Sequence, residues 1–283
     1  MTGRGAEDAP RAAVRADPLA DLSRRITLGV TVWLAGAAAV AWVLVVRQQP
    51  GMTGMAAGLA QVAAPMAMPF SGPVFLGMWV GMMVAMMFPT AVPLVAAHRL
   101  VVRRRGEGAA PTLALVGGYL LVWTAAGLLP LAALTLFRQL AAPAGGAPWL
   151  TVTAGATLVL AGAYQFTSWK SICLGTCRSP FAFLAQHDFG GGSRAAWRAG
   201  LAQGTYCLGC CWALMSVLLV VGLMNLVWMV ALSLVFLAEK VWRHGWALPR
   251  IIGTALIALG VVVALYPPLL PLLAGLTPGP APM

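Results

Sequence analysis

Uncharged apolar runs of about 20 residues recur along this chain, separated by short polar connections. Each run is long enough to cross a bilayer as a helix. Seven are expected: Ile26 to Val46, Val74 to Ala97, Thr112 to Phe137 (interrupted by Pro130), and Leu150 to Trp169. Gly204 to Gly222 follows, then a tight turn near Asn225 leads into a sixth run ending at about Lys240. The seventh spans Arg250 to about Leu270, where Pro267, Pro268 and Pro271 end it for want of backbone donors. No segment alternates with the roughly ten-residue strand period of an outer-membrane barrel. The expected fold is all-α, a polytopic helical membrane protein of about seven transmembrane helices.

Around these runs lie two tails. Residues 1–25, rich in Ala, Arg, Asp and Pro, read as a disordered cytoplasmic tail. Residues 26–273 form a single helical membrane domain, and 274–283 a short Pro-rich C-terminal tail. The first apolar run begins too far from the start for a cleaved signal, so it is expected to stay as a span.

Charge fixes the orientation. With the N-terminus inside, 16 of the 18 Lys and Arg residues fall in inner segments, and only Arg47 and Arg138 lie outside. That asymmetry follows the positive-inside rule and puts the C-terminus outside. It also accounts for the net charge of +11 without a nucleic-acid partner. At 60% hydrophobic and 9% charged residues, the composition excludes an ordinary soluble domain. No P-loop, dinucleotide fingerprint or HExxH motif is present, so no enzyme chemistry is expected.

Two stretches carry chemistry. In Tyr206-Cys207-Leu208-Gly209-Cys210-Cys211-Trp212, the spacing i, i+3, i+4 sets three thiols on one helical face. A single buried Cys behaves as a small hydrophobe, but three converging sulfurs suit a soft metal ion. Cys173 and Cys177 stand upstream, before the same span, as a capture or transfer pair. All five cysteines are expected on the cytoplasmic side, where thiols persist as ligands rather than disulfides. In the second stretch, Met78, Met82 and Met86 form one i, i+4, i+8 line, and Met83 and Met87 a parallel one. Met52, Met55, Met66 and Met68 precede them. Methionine also fills gaps between helices, yet neutral thioethers hold Cu(I) without deprotonation. Thiols at one end and thioethers toward the other describe a route for a soft monovalent ion. Pro89 and Pro93 are expected to kink or end this helix and free carbonyls.

Other residues compete less well. Glu239, an acid at the end of the sixth run beside Lys240, is either a functional group or a solvated or paired residue. His98 and His187 read as surface residues. Arg178 follows Cys177, where its charge would lower the thiol pKa from its usual ~8.5. Trp79, Trp123, Trp149 and Trp169 fit interfacial or packing roles.

Together, Met78-Trp79, Met82-Met83, Ala85-Met86-Met87, Pro89 and Pro93, with Tyr164-Gln165, Lys170, Cys173, Cys177-Arg178-Ser179-Pro180 and Cys207-x-Gly209-Cys210-Cys211-Trp212, resemble a bacterial family of predicted metal-binding integral membrane proteins. The resemblance covers roughly residues 74–245. Some members are regarded as copper chaperones that help metallate copper enzymes. Where that family often carries a His before the cysteine block, this chain has Gln203, which offers no imidazole. The resemblance implies copper handling in a bacterial inner membrane, with a copper-enzyme acceptor as partner. Three readings stay open: a Cu(I) chaperone or delivery factor, a structural four-thiolate zinc protein built from C-x3-C and C-x2-C, and a membrane thiol oxidoreductase.

Overall fold

The computed structural model describes residues 18–48, 72–141, 149–187, 191–223 and 225–273. The described residues are helical, with no strand among them. In chain order the helices are α1 (Pro18–Gln48), α2 (Gly72–Arg104), α3 (Ala110–Ala126), α4 (Leu128–Ala141) and α5 (Trp149–Tyr164). They continue with α6 (Ser168–Arg178), α7 (Pro180–His187), α8 (Gly192–Val221), α9 (Leu226–Val241), α10 (Leu248–Leu265) and α11 (Leu269–Leu273). Most of the expected N-terminal tail, the loop methionines Met52, Met55, Met66 and Met68, and residues 274–283 lie outside the described residues. The first helix already begins at Pro18, ahead of the apolar run.

Among the described residues, five helical stretches are long and apolar enough to span a membrane: Asp21–Arg47, Gly72–Arg104, Ala110–Ala133, Gly192–Val221 and Leu248–Leu265. The expected fourth and sixth spans instead form α5 and α9, of 16 residues each. At 1.5 Å per residue each reaches only about 24 Å, short of a ~30 Å hydrocarbon core. The fourth run breaks after Tyr164, where a turn leads to Thr167. Its side chain accepts from the Lys170 N–H and starts α6 as a separate helix.

Proline shapes the two longest runs differently. Pro130 has no N–H for the carbonyl of Ala126, and its ring crowds that position. The hydrogen-bond ladder of the third run is interrupted there, α3 ending at Ala126 and α4 starting at Leu128, although Gly127 keeps helical backbone angles and the stretch continues to Ala133. In α2, Pro89 and Pro93 sit inside an unbroken helix of 33 residues. The carbonyl that Pro89 leaves without a donor is that of Ala85, and the Trp42 indole N–H from α1 donates to it at 3.1 Å. A neighbouring helix repairs the missing bond, as membrane interiors require.

Packing is pairwise: α1 lies on α2, α3 on α8, and α5 on α10, with α6 and α9 closing against this frame. The α5–α10 pair is set by four glycines at seven-residue spacing. A Cβ at Gly162 would fall 2.7 Å from the Gly253 carbonyl, and one at Gly155 2.7 Å from that of Gly260. Only glycine allows two backbones so near one another. Gly118, Gly200 and Gly204 serve the α3–α8 crossing in the same way. That crossing brings Tyr119 of α3 against the cysteine face of α8.

Candidate metal centre

On α8 the helical register does what the spacing requires. Cys207, Cys210 and Cys211 share one face, and their sulfurs all lie within 4.8 Å of one another. Each residue is 1% exposed. The Cys210 and Cys211 thiols donate back to the Cys207 carbonyl at 3.1 and 2.8 Å, which fixes where both sulfurs point.

Three other helices complete the surroundings. From α3, the Tyr119 hydroxyl is 3.2 Å from Cys207 Sγ. From α9, Lys240 Nζ donates to Cys207 Sγ at 3.1 Å and to Thr90 Oγ1 of α2 at 3.2 Å. The same ammonium lies 4.0 Å from Met87 Sδ. Thr90 in turn donates to the Met87 carbonyl at 2.8 Å, holding that turn of α2 in place. Lys240 therefore stands between the last methionine of the stripe and the first cysteine of the cluster.

The upstream cysteines fall in two different places, though both are on α6. Cys177 lies beside Cys207 and Cys210, outside the group of three sulfurs within 4.8 Å of one another, and the Gln203 amide donates to its sulfur at 3.6 Å. Cys173 packs over Gly209, where any Cβ would come within 2.7 Å of its sulfur. Tyr164 braces this spot, its hydroxyl donating to the Gly209 carbonyl at 2.6 Å and its ring meeting Trp212 edge-on. The glycine inside the cysteine motif is thus the clearance that lets Cys173 reach α8.

Of the ten candidate residues, Cys207, Cys210 and Cys211 come together, Cys177 and Cys173 adjoin them from α6, and Met87 reaches them through Lys240. Met78, Met82, Met83 and Met86 are buried in the core along the same helix.

Several expectations are corrected. Arg178 does not activate Cys177: its guanidinium donates to the carbonyls of Glu239 and Trp242 and lies over the Trp246 ring. Hydrogen bonding to Cys207 and Cys210, with desolvation, pushes the Cys177 thiol up from its ordinary value instead. Glu239 is paired rather than solvated, and its partner is Lys170, not its neighbour Lys240. Its carboxylate accepts from Lys170 Nζ at 2.9 Å on both oxygens, with both side chains 1% exposed. His98 is fully buried, its Nδ1 3.4 Å from Thr112 Oγ1. His187 is half-buried and stacked on Phe183. Trp79 packs as expected and donates to the Trp123 carbonyl.

Tyr119 escaped the sequence reading, which met Lys240 only as the neighbour of Glu239 and Gln203 only as the place of a missing imidazole. The available signal for Lys240 was its neighbour: consecutive helical residues point about 100° apart, so Glu239 and Lys240 face different helices. Glu239 faces α6 and Lys240 faces α2 and α8.

The sequence profile of the copper chaperone family PpoB2 matches residues 76–263, a stretch containing both the methionine helix and the cysteine helix. No curated protein and no solved structure matches the chain.

Proposed function

The chain belongs to the copper chaperone family, and from that premise we propose that it is an integral membrane carrier of Cu(I). In this reading it holds the ion on buried sulfur and hands it to a copper enzyme, without catalysing a reaction of its own. The observation that carries the reading is the buried triad of Cys207, Cys210 and Cys211, within mutual reach of one small ion. Soft thiolates at low coordination number select Cu(I), and an incompletely coordinated ion stays open to attack by a neighbouring sulfur. Cys177 is one such sulfur, and Cys173, one helical turn earlier on α6, is another. Met87, with Met78, Met82, Met83 and Met86 behind it, offers neutral thioethers on the other side of Lys240. Metal moves by ligand exchange from one sulfur to the next, in the bacterial inner membrane.

Cu(I) titration of detergent-purified protein tests this. The wild type is expected to hold about one tightly bound ion and Cys210→Ser/Cys211→Ser none. Unchanged stoichiometry in that variant refutes the assignment.

A second reading is supported by the contact of Cys177 with Cys207 and Cys210. In it, Cys173 and Cys177 of α6 with Cys207 and Cys210 of α8 supply the four thiolates of a structural zinc site. It leaves the buried methionines without a part, since zinc has little use for thioethers. Zinc in the purified protein, with loss of fold on removing any one thiol, would favour it over the carrier.

A further inference from the structure

The Arg-bearing ends of α1 and α2, with the start of α3, line a half-open cavity of about 460 Å³ that no cysteine borders. Its size falls within the range of small-molecule sites. Its walls are apolar, with Val30 and Trp33 of α1, Val95 of α2 and Val116 of α3 among them. Its rim carries Arg25, Arg99 and Arg103, and no acidic residue lines it. Asp21 pairs with Arg25 at 2.9 Å at the exposed edge. Arg99 donates to the Gly108 carbonyl and sits one helical turn from Arg103, which repels it; three arginines against one aspartate leave the rim net positive.

Depth in the fold narrows the occupant. Arg25 lies just inside the start of the span Asp21–Arg47, Arg103 just before the end of Gly72–Arg104, and Ala109 just ahead of Ala110–Ala133. The rim is therefore at one membrane–water boundary, and the apolar walls run inward from it. Trp33, 51% exposed, continues the wall onto the outer surface of α1. An occupant must put an anionic head at the boundary and an apolar chain along the helices. Basic pockets between spans recognise anionic lipid headgroups in this way. We propose that this cavity is a binding site for one anionic phospholipid, its phosphate held by Arg25, Arg99 and Arg103 and one acyl chain lying along Val30, Val95 and Val116.

The site can be closed without touching its charges. Gly29 lines the cavity, and a Cβ built there meets nothing within 4 Å. Gly29→Phe therefore fills the trough and leaves the arginines in place. The full-length protein, reconstituted in a mixture of phosphatidylcholine and phosphatidylglycerol and extracted into mild detergent, is analysed by native mass spectrometry for retained lipid. Wild type is expected to keep one phosphatidylglycerol in preference to phosphatidylcholine. Gly29→Phe and Arg25→Gln/Arg103→Gln are each expected to cut that retention about tenfold, the size of losing a charge-assisted hydrogen bond. Arg194→Gln/Arg198→Gln, which removes two exposed arginines elsewhere, is expected to change nothing. Cu(I) binding and helical circular dichroism, both unaffected in folded variants, separate loss of lipid from loss of structure. No lipid preference in the wild type overturns the proposal. So does full retention in folded Gly29→Phe, which would reduce the effect to surface attraction by the arginines.

Discussion

Lys240→Met removes the ammonium that contacts Cys207 while keeping a side chain of similar length. Taking up Cu(I) on two thiols releases their protons and leaves an S–Cu–S group with one net negative charge. Burying that charge among residues 1% exposed is costly unless a positive charge lies beside it. Lys240 Nζ, 3.1 Å from Cys207 Sγ, supplies it and makes the loaded centre neutral. Unit charges ~4 Å apart interact by about 4 kcal/mol at an effective dielectric of 20. Desolvation of the ammonium and its bond to Thr90 offset part of that. A charge-assisted hydrogen bond retains a net ~1.5–3 kcal/mol, so Lys240→Met should weaken Cu(I) binding about ten- to hundredfold. Losses of that order are typical when groups around a metal's ligands are changed. Competition with a chromophoric Cu(I) chelator measures it. Lys240→Arg, which keeps the charge, should recover most of the affinity. Equal or tighter binding in folded Lys240→Met refutes the reasoning, because Lys240 would then act as a competitor of the metal.

Other expectations follow from the same geometry. Cys177→Ser should leave Cu(I) on the three α8 thiols, with less than about a tenfold loss by chelator competition, whereas a zinc site would lose its fourth ligand and release the metal. Glu239→Gln strands the buried Lys170 ammonium and should lower stability by about 3–5 kcal/mol, read as a fall in the thermal unfolding midpoint in detergent. Gly162→Leu drives a side chain into the Gly253 carbonyl; an overpacking cost of about 1–3 kcal/mol should appear in the same assay, with Cu(I) stoichiometry unchanged.

Several features of this protein were fixed by local physics and so were legible in the chain. An apolar run of 20 residues has few stable conformations other than a helix in lipid, which determined the helical class. A spacing of i, i+3, i+4 defines a face of any α-helix, so the convergence of Cys207, Cys210 and Cys211 needed no partner to be foreseen. The break in the third run at Pro130 was legible for the same reason, although it falls at Gly127, one helical turn before the proline.

Tertiary structure decided what depends on distant segments. Pro89 leaves the Ala85 carbonyl without its donor, and whether the helix breaks there depends on Trp42, 43 residues earlier. Glu239 and Lys240 are adjacent in the chain but separate in space: one joins Lys170 across 69 residues, the other Cys207 across 33. Cys173 and Cys177 share a short helix, yet only the packing of α6 on α8 sends Cys177 to the thiol cluster and Cys173 to Gly209. Among the described residues five of the seven expected spans are long enough to cross a bilayer, while α5 and α9 stop at 16 residues, α5 where Thr167 starts a new helix. Spacing along one helix fixes which side chains share a face, but which helix that face meets is set by close-packed glycines and buried ion pairs contributed from elsewhere in the chain.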